Sequence, residues 1–204
     1  MTLSEFDNEI RKNHNVVCGC DEAGRGPLAG DVFAAAVIFD KDTVIEGIND
    51  SKKLTAKKRE ELFDEIMEKA VDFSIQTATV EEIEDINILN AAMLAMKRAV
   101  EDMDTKPDVC LIDGNKTPEG LECPAIAVVK GDAKSQAVAV ASILAKVARD
   151  RYMEQMAEQY PEYRFEKHKG YGTKLHYQMI DQYGPCGIHR MSFLKKYYAK
   201  KNGH

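Results

Sequence analysis

An α/β fold with a mixed-direction β-sheet flanked by helices is what this sequence predicts, on three observations. Short apolar, β-branched runs recur along the chain, amphipathic helical stretches alternate with the later runs, and the first two runs flank a Gly/Pro-rich turn and read as a hairpin. In order, Val16–Cys20 is a strand running up to Asp21, Ala23–Gly30 is the turn, and Val32–Phe39 is the second strand. Thr55 is placed to cap a helix reaching about Ala70, with Leu62, Phe63, Ile66 and Met67 on one face. Phe73–Thr79 reads as a third strand. Thr79-Val-Glu-Glu82 has capping-box form and opens helical sequence to about Met103, with a break near Asn87. Val109–Ile112 is a strand ending at Asp113-Gly114, and Ala125–Val129 another ending at Lys130-Gly131-Asp132. A long helix runs from Ser135 to about Met156 with Val138, Ile143, Leu144 and Val147 inward, and a shorter one from Thr173 to Gln182 is stopped by Gly184-Pro185. No repeats or low-complexity segments interrupt this order, and the one candidate linker lies near Tyr160-Pro161.

The 204 residues suit one domain of ordinary size with a small appendage. Such a chain removes roughly 70% of its extended surface from water, enough for an unaided core. With 44% hydrophobic and 30% charged residues, the composition is that of a globular protein. No apolar run approaches the roughly 18–20 residues of a membrane span, and MTLSEFDNEI lacks the charged and apolar regions of a secretory signal. The five cysteines are an odd count without a C-x-x-C pair, so reduced thiols and a cytoplasmic location are expected. The net charge of −6 hides an asymmetry: from Pro161 onward nine basic residues face three acidic ones, a balance of +6 that leaves −12 on residues 1–160. That tail also holds eight of the fifteen aromatics and four of the five histidines. A basic, aromatic-rich stretch beside an acidic body suits a polyanion gripped near carboxylates, although Lys195, Lys196, Lys200 and Lys201 are equally explained as the solvated face of a terminal helix.

Three predicted strands deliver carboxylates at or just past their C-terminal ends: Asp21-Glu22, Asp113 and Asp132. Crevices beyond such strand ends are where α/β sheets bind ligands. Nearby Gly19, Gly114 and Gly131 leave room for close approach to the backbone. Taken singly, Asp113-Gly114 and Gly131-Asp132 read as turn residues; four acids together point to a shared site. Gathered in a cleft they would repel one another by several kcal/mol, which a hard divalent cation, Mg²⁺ or Mn²⁺, would offset. Zinc is disfavoured, because Cys18 and Cys20 face the opposite side of the strand from Asp21. Asp21 and Glu22 also alternate in direction, so a shared site requires the chain to turn there, which Ala23-Gly24 would supply.

Gly24-Arg25-Gly26-Pro27-Leu28-Ala29-Gly30 is no P-loop, since no Gly-Lys-Ser/Thr closes it. It approximates a dinucleotide fingerprint but leads into a strand, where that fingerprint needs a helix N-terminus. What remains is a tight loop presenting backbone groups and Arg25 beside Asp21 and Glu22, suited to phosphate and sugar hydroxyls, or a plain hairpin turn with Arg25 pairing the acids.

The stretch Asp21–Gly30 resembles the signature of the ribonuclease HII (type 2 ribonuclease H) family. So do Asp50–Leu54, Ile86–Asn90, Asp113-Gly114, Gly131–Ser135, Ala141–Lys146, His168–Thr173, Tyr183–Pro185 and His189–Phe193, in order across nearly the whole chain. The resemblance implies a ribonuclease H-like catalytic core over residues 1–160 and a basic, aromatic-rich helical extension over residues 161–204 packed on it. It implies an endonuclease of DNA replication and repair that cuts the RNA strand of RNA–DNA hybrids. The enzyme would also nick 5′ to single ribonucleotides in duplex DNA, leaving 3′-hydroxyl and 5′-phosphate ends. Asp21, Glu22, Asp113 and Asp132 match the family's catalytic, metal-binding carboxylates, which would hold two Mg²⁺ or Mn²⁺ ions for two-metal hydrolysis. Gly24, Arg25 and Gly26 match its sensor of the 2′-hydroxyl, Tyr171 the tyrosine that stacks on the junction sugar, and Ser51, Lys52 and Lys53 a segment touching the nucleic-acid backbone. A monomer is expected, without a membrane partner and with a sliding clamp as a candidate partner.

Two residues depart from the family pattern. Asp31 stands where proline is common and would add negative charge near a phosphate path, and Cys20 replaces a branched aliphatic. His168, His176 and His189 are assigned no catalysis. Among rival readings, ribonuclease HIII would bring an extra N-terminal domain and a lysine in the Gly-Arg-Gly position. A non-catalytic hybrid binder would lack at least one acid, and a phosphotransferase would need the P-loop ending.

Overall fold

The computed structural model describes residues 2–48 and 54–202. Among these, five strands form one sheet: β1 Val17–Ala23, β2 Val32–Ile38, β3 Asp72–Ala78, β4 Val109–Asp113 and β5 Ala125–Val128. Their spatial order is β3-β2-β1-β4-β5. β1 and β2 pair antiparallel, as do β2 and β3, whereas β4 runs parallel to both β1 and β5. The mixed direction and the opening hairpin are those the sequence predicts. The helices are α1 Leu3–Arg11, α2 Ala56–Lys69, α3 Val80–Glu101, α4 Gln136–Gln159, α5 Phe165–His168, α6 Lys174–Tyr183 and α7 Met191–Asn202.

Alternation along the central strands divides the core into two layers. Cys18, Cys20, Ala34, Ala36 and Ile38 pack against α3, through Ile83, Ala92, Met96 and Ala99. Ala35 and Val37 face the other way, onto Val140, Ile143 and Leu144 of α4, with Leu62, Phe63 and Ile66 of α2 behind them. Met67 was expected on that same face but is 41% exposed, because the apolar arc of α2 that reaches the core is narrower than four residues. Gly19 lets α4 lie flush on β1: a Cβ there would stand 2.1 Å from the carbonyl carbon of Ala137. Among the described residues no helix is long and apolar enough to cross a membrane, and Cys18, Cys20, Cys110, Cys123 and Cys186 are all free thiols.

Helix ends follow local chemistry. Thr79 and Glu82 form the reciprocal capping box, with Glu82 N–H donating to Thr79 Oγ1 (3.3 Å) and Thr79 N–H to Glu82 Oε2 (2.9 Å). The break in α3 falls at Asn87, whose φ is +67° and whose Oδ1 accepts the N–H groups of Leu89 and Asn90, capping the second half of the helix. α1, unread from the sequence, carries a capping box of its own between Thr2 and Glu5. Its buried Asp7 accepts the Ala137 N–H at 2.9 Å, at the start of α4. Burial pushes this carboxyl above its ordinary value.

Beyond α4, a short 3-10 turn at Pro161–Tyr163 precedes α5. Tyr163 and Phe165 pack with Met153 of α4 and with Ala29, while Ile180 of α6 and Leu194 of α7 pack on Leu28. The apolar contacts of this C-terminal segment thus converge on the loop between β1 and β2.

Candidate active site

The register that sets Cys20 beside Ile112 carries Asp21 alongside Asp113, at the same end of two parallel strands. Asp132 follows β5 in a 3-10 turn, Gly131–Ala133, which leads into α4. The Gly131 N–H donates to Asp113 Oδ1 at 2.6 Å and ties that turn to the end of β4. Asp21, Glu22, Asp113 and Asp132 all line one cavity of about 400 Å³, together with Gly24, Arg59, Ser142, Lys146 and Tyr171. The turn expected at Ala23-Gly24 falls at Gly24, after both acids rather than between them. β1 keeps pairing with β2 through Ala23, Asp21 opposite Ala35 and Glu22 opposite Ala34, and the backbone departs only at Gly24, where φ is +102°. Both acids still border the cavity because the pairing of β1 with β4 stops at Cys20, leaving the last residues of β1 uncovered on that side.

Asp21 is 7% exposed and its Oδ1 accepts the Glu22 N–H at 2.7 Å. Burial pushes its carboxyl well above the usual carboxylate range; the charges of Glu22, Asp113 and Asp132 push the same way, against the pull of the Glu22 N–H. Among the described residues no group of three or more His, Cys, Asp or Glu side chains is arranged to hold a metal ion. Glu22 Oε1 takes Arg25 Nη1 at 3.1 Å, and Asp113 takes the Gly131 N–H.

The glycine loop enters β2 rather than a helix, which disposes of the dinucleotide reading. A Cβ on Gly24 would lie 2.1 Å from Arg149 Nε, so both its positive φ and its surroundings require glycine. Gly26 is next to Tyr171, whose Cε1 would be 3.8 Å from a Cβ added there. The Tyr171 ring is 42% exposed, with Lys146 Nζ 5.8 Å and Arg149 Cζ 5.9 Å from its centroid. The loop and the tyrosine therefore share one rim of the cavity. Ser51, Lys52 and Lys53 lie outside the described residues. Asp31 does not line the cavity: its Oδ1 accepts the Val80 N–H at 3.0 Å, at the start of α3. Cys20 is buried against α3.

Sequence reading missed Arg59, Ser142 and Lys146. Ser142 and Lys146 stand four residues apart, so they share a face of a helix whose other positions are largely buried, and that spacing was a usable signal. Arg59 offered none. The three histidines lie outside the cavity. His176 and His189 meet through their Nε2 atoms at 3.0 Å, and His168 stacks on His176 with centroids 4.3 Å apart.

Comparison with known proteins gives the family and the fold. The sequence profile of the family described as ribonuclease HII matches residues 18–196. A ribonuclease HII of Caldicellulosiruptor saccharolyticus is 54% identical over 189 residues, 93% of this chain and 92% of that protein. One of Idiomarina loihiensis is 58% identical over 178 residues, 87% and 95% respectively. The crystal structure of the ribonuclease H2 from Pyrococcus horikoshii OT3 superposes with a TM-score of 0.72 at 29% identity, covering 87% of this chain and 93% of that one. The structure of the PCNA:RNase HII complex from Archaeoglobus fulgidus gives a TM-score of 0.68 at 25% identity, covering 86% and 94%. With relatives more than half identical along nearly their whole length and the same fold recurring in an archaeal enzyme, the chain belongs to the ribonuclease HII family and is a ribonuclease H hydrolase.

Proposed function

We propose that this hydrolase cuts the RNA strand of RNA–DNA hybrids. We further propose that it nicks 5′ to single ribonucleotides embedded in duplex DNA, leaving 3′-hydroxyl and 5′-phosphate ends, as ribonucleotide removal in replication and repair requires. The observation that carries the reading is the meeting of four carboxylates from three strand ends on one cavity, with the Asp21 carboxyl raised by burial and by its acidic neighbours. That excess of negative charge, borne by oxygen donors alone, fits hard divalent cations, Mg²⁺ or Mn²⁺. Asp21, Glu22, Asp113 and Asp132 would hold them, with Glu22 rotating away from Arg25 to take part. When bound, such ions supply an acidified water nucleophile and stabilise the charge on the leaving 3′ oxygen.

The remaining residues position the substrate. Arg25, once released by Glu22, can reach a phosphate, and the backbone of Gly24–Gly26 can test for a 2′-hydroxyl. Tyr171 offers an exposed ring on the same rim, on which a sugar can stack. Lys146 and Arg59 bring positive charge to a cavity otherwise dominated by acids. Residues 161–204, with their +6 balance, form the extension that grips the polyanion beside the core of residues 1–160, and Ser51, Lys52 and Lys53 touch its backbone. The reading draws on no residue of a second copy and so is satisfied by a monomer. The PCNA complex of the Archaeoglobus fulgidus relative supports a sliding clamp as a protein partner.

The test is digestion of a duplex containing one ribonucleotide, with and without Mg²⁺ or Mn²⁺, with both new ends mapped. A single nick 5′ to the ribonucleotide that needs the cation and bears a 3′-hydroxyl is expected. Cleavage without the cation, or a cyclic 2′,3′-phosphate end, would overturn the reading.

A further inference from the structure

The segment His189–Phe193 has no part in the chemistry above, yet it holds a fully buried guanidinium, that of Arg190. An arginine has five N–H donors, and all five here go to main-chain carbonyls of the loop between β1 and β2. Nε donates to Gly30 O (2.8 Å), Nη1 to Arg25 O (3.2 Å) and Pro27 O (2.9 Å), and Nη2 to Gly24 O (2.7 Å) and Gly30 O (2.6 Å). The Arg190 N–H adds a bond to Leu28 O at 2.8 Å. Arg149, reaching over from α4, takes Ala29 O and Asp31 O at 3.0 and 3.2 Å, and Lys169 O at 3.0 Å. From Gly24 to Asp31, every carbonyl but that of Gly26 is therefore held by one of these two arginines.

Two guanidiniums buried side by side are an unfavourable way to fasten a loop. Burial and the charge of Arg149 pull Arg190 down to about 9, which leaves it charged at neutral pH. A turn that needed only to be stable could be held by apolar packing, whereas a planar fork with five fixed donors dictates a shape. What that shape presents is the Gly24–Gly26 edge facing Tyr171 and the acids.

We infer that Arg190 is a positioning residue for substrate discrimination: it fixes the carbonyls of Gly24, Arg25, Pro27, Leu28 and Gly30 and thereby the form in which the glycine loop meets the sugar of the ribonucleotide to be cut. The inference rests on the reading of Gly24–Gly26 as the sensor of the 2′-hydroxyl. A misplaced sensor leaves phosphate contacts intact while spoiling alignment of the reacting phosphate, so the loss should fall on kcat rather than KM.

The experiment compares wild type, Arg190→Lys and Arg25→Ala on the single-ribonucleotide duplex, with rates expressed per folded enzyme as judged by circular dichroism and thermal unfolding. Arg190→Lys keeps the charge and loses the fork. Its kcat is expected to fall about 10- to 100-fold with KM within about threefold, while Arg25→Ala also slows cleavage. Wild-type kcat per folded Arg190→Lys enzyme, alongside a slowed Arg25→Ala, would overturn the inference and leave the loop reading standing. An unslowed Arg25→Ala would overturn the loop reading and the inference with it. Should Arg190→Lys not fold, Arg149→Lys, which removes the bonds to Ala29 and Asp31, is judged by the same criteria.

Discussion

Lowering the pH from 7.5 to 5.0 should remove folding stability at the buried histidines, because their hydrogen bonds admit only neutral rings. His176 Nδ1 faces Tyr171 O at 3.0 Å and must carry the proton, so its Nε2 is an acceptor. His189 Nε2 then donates to it at 3.0 Å, which leaves His189 Nδ1 to accept the Cys186 N–H at 2.9 Å. A proton added to either ring sets N–H against N–H. His168 is fixed in the same way, Nε2 on Tyr163 O and Nδ1 accepting from Gly170 N–H. Cys186 Sγ and the phenol of Tyr163 pack against the cluster and are neutral at this pH, while the charges of Glu166 and Lys169 act on His168 in opposite senses. Burial lowers His176 from 6.5 to about 3 and His189 from 6.5 to about 4. With folded values below the unfolded one, the unfolded chain binds more protons between those limits, so this stability is complete above 6.5 and is lost as the pH falls. At pH 5.0 each ring has given up 1.5 units at about 1.4 kcal/mol per unit, about 2 kcal/mol apiece and about 4 kcal/mol together. With an m-value of about 2–3 kcal/mol/M, the urea midpoint falls by about 1.5 M. Asp7, Asp21 and Asp31, whose carboxyls are raised by burial, oppose the trend. The diagnostic is therefore a comparison with His176→Phe, whose midpoint difference between the two pH values should be smaller than that of wild type by about 0.8 M. An unchanged difference in that variant would refute the argument.

Asp21→Asn should reduce cleavage at least about 10³-fold, yet bind a hybrid as well as wild type or better in metal-free fluorescence anisotropy, since one charge repelling phosphate is gone. Arg25→Ala and Tyr171→Ala should each lower kcat/KM on single-ribonucleotide duplexes about tenfold, while binding to plain DNA changes less; equal losses on both would assign these residues to the fold alone. Gly19→Ala should cost about 3 kcal/mol or more in urea unfolding, because its methyl group would meet the backbone of Ala137 and part α4 from β1.

Much of this molecule can be read from local chemistry. The β-branched runs predict all five strands of the described sheet, Thr55, Thr79 and Ser135 mark the helix starts, and Asn87 marks the break in α3. The four acids are legible because strand ends in an α/β sheet share one crevice. α5 and the turn at Pro161–Tyr163 are too short to show a period, and α1 went unread although Thr2 and Glu5 spell its capping box. Arg59 becomes a site residue only through the way α2 lies over the sheet, whereas Ser142 and Lys146 left a signal in their spacing that went unused. Arg149 and Arg190 act on carbonyls of the glycine loop between 118 and 166 residues away, a distance at which no pattern in the chain announces a partner.

That separation also orders events during synthesis. The glycine loop leaves the ribosome long before Arg190 has been translated, 166 residues behind Gly24. A nascent chain can already carry every acid while the loop carbonyls are still bound to water. On the role inferred for Arg190, the loop would take its final form only after the acids are in place, and a stop ahead of Arg190 would remove both that fork and the packing of Leu194 on Leu28.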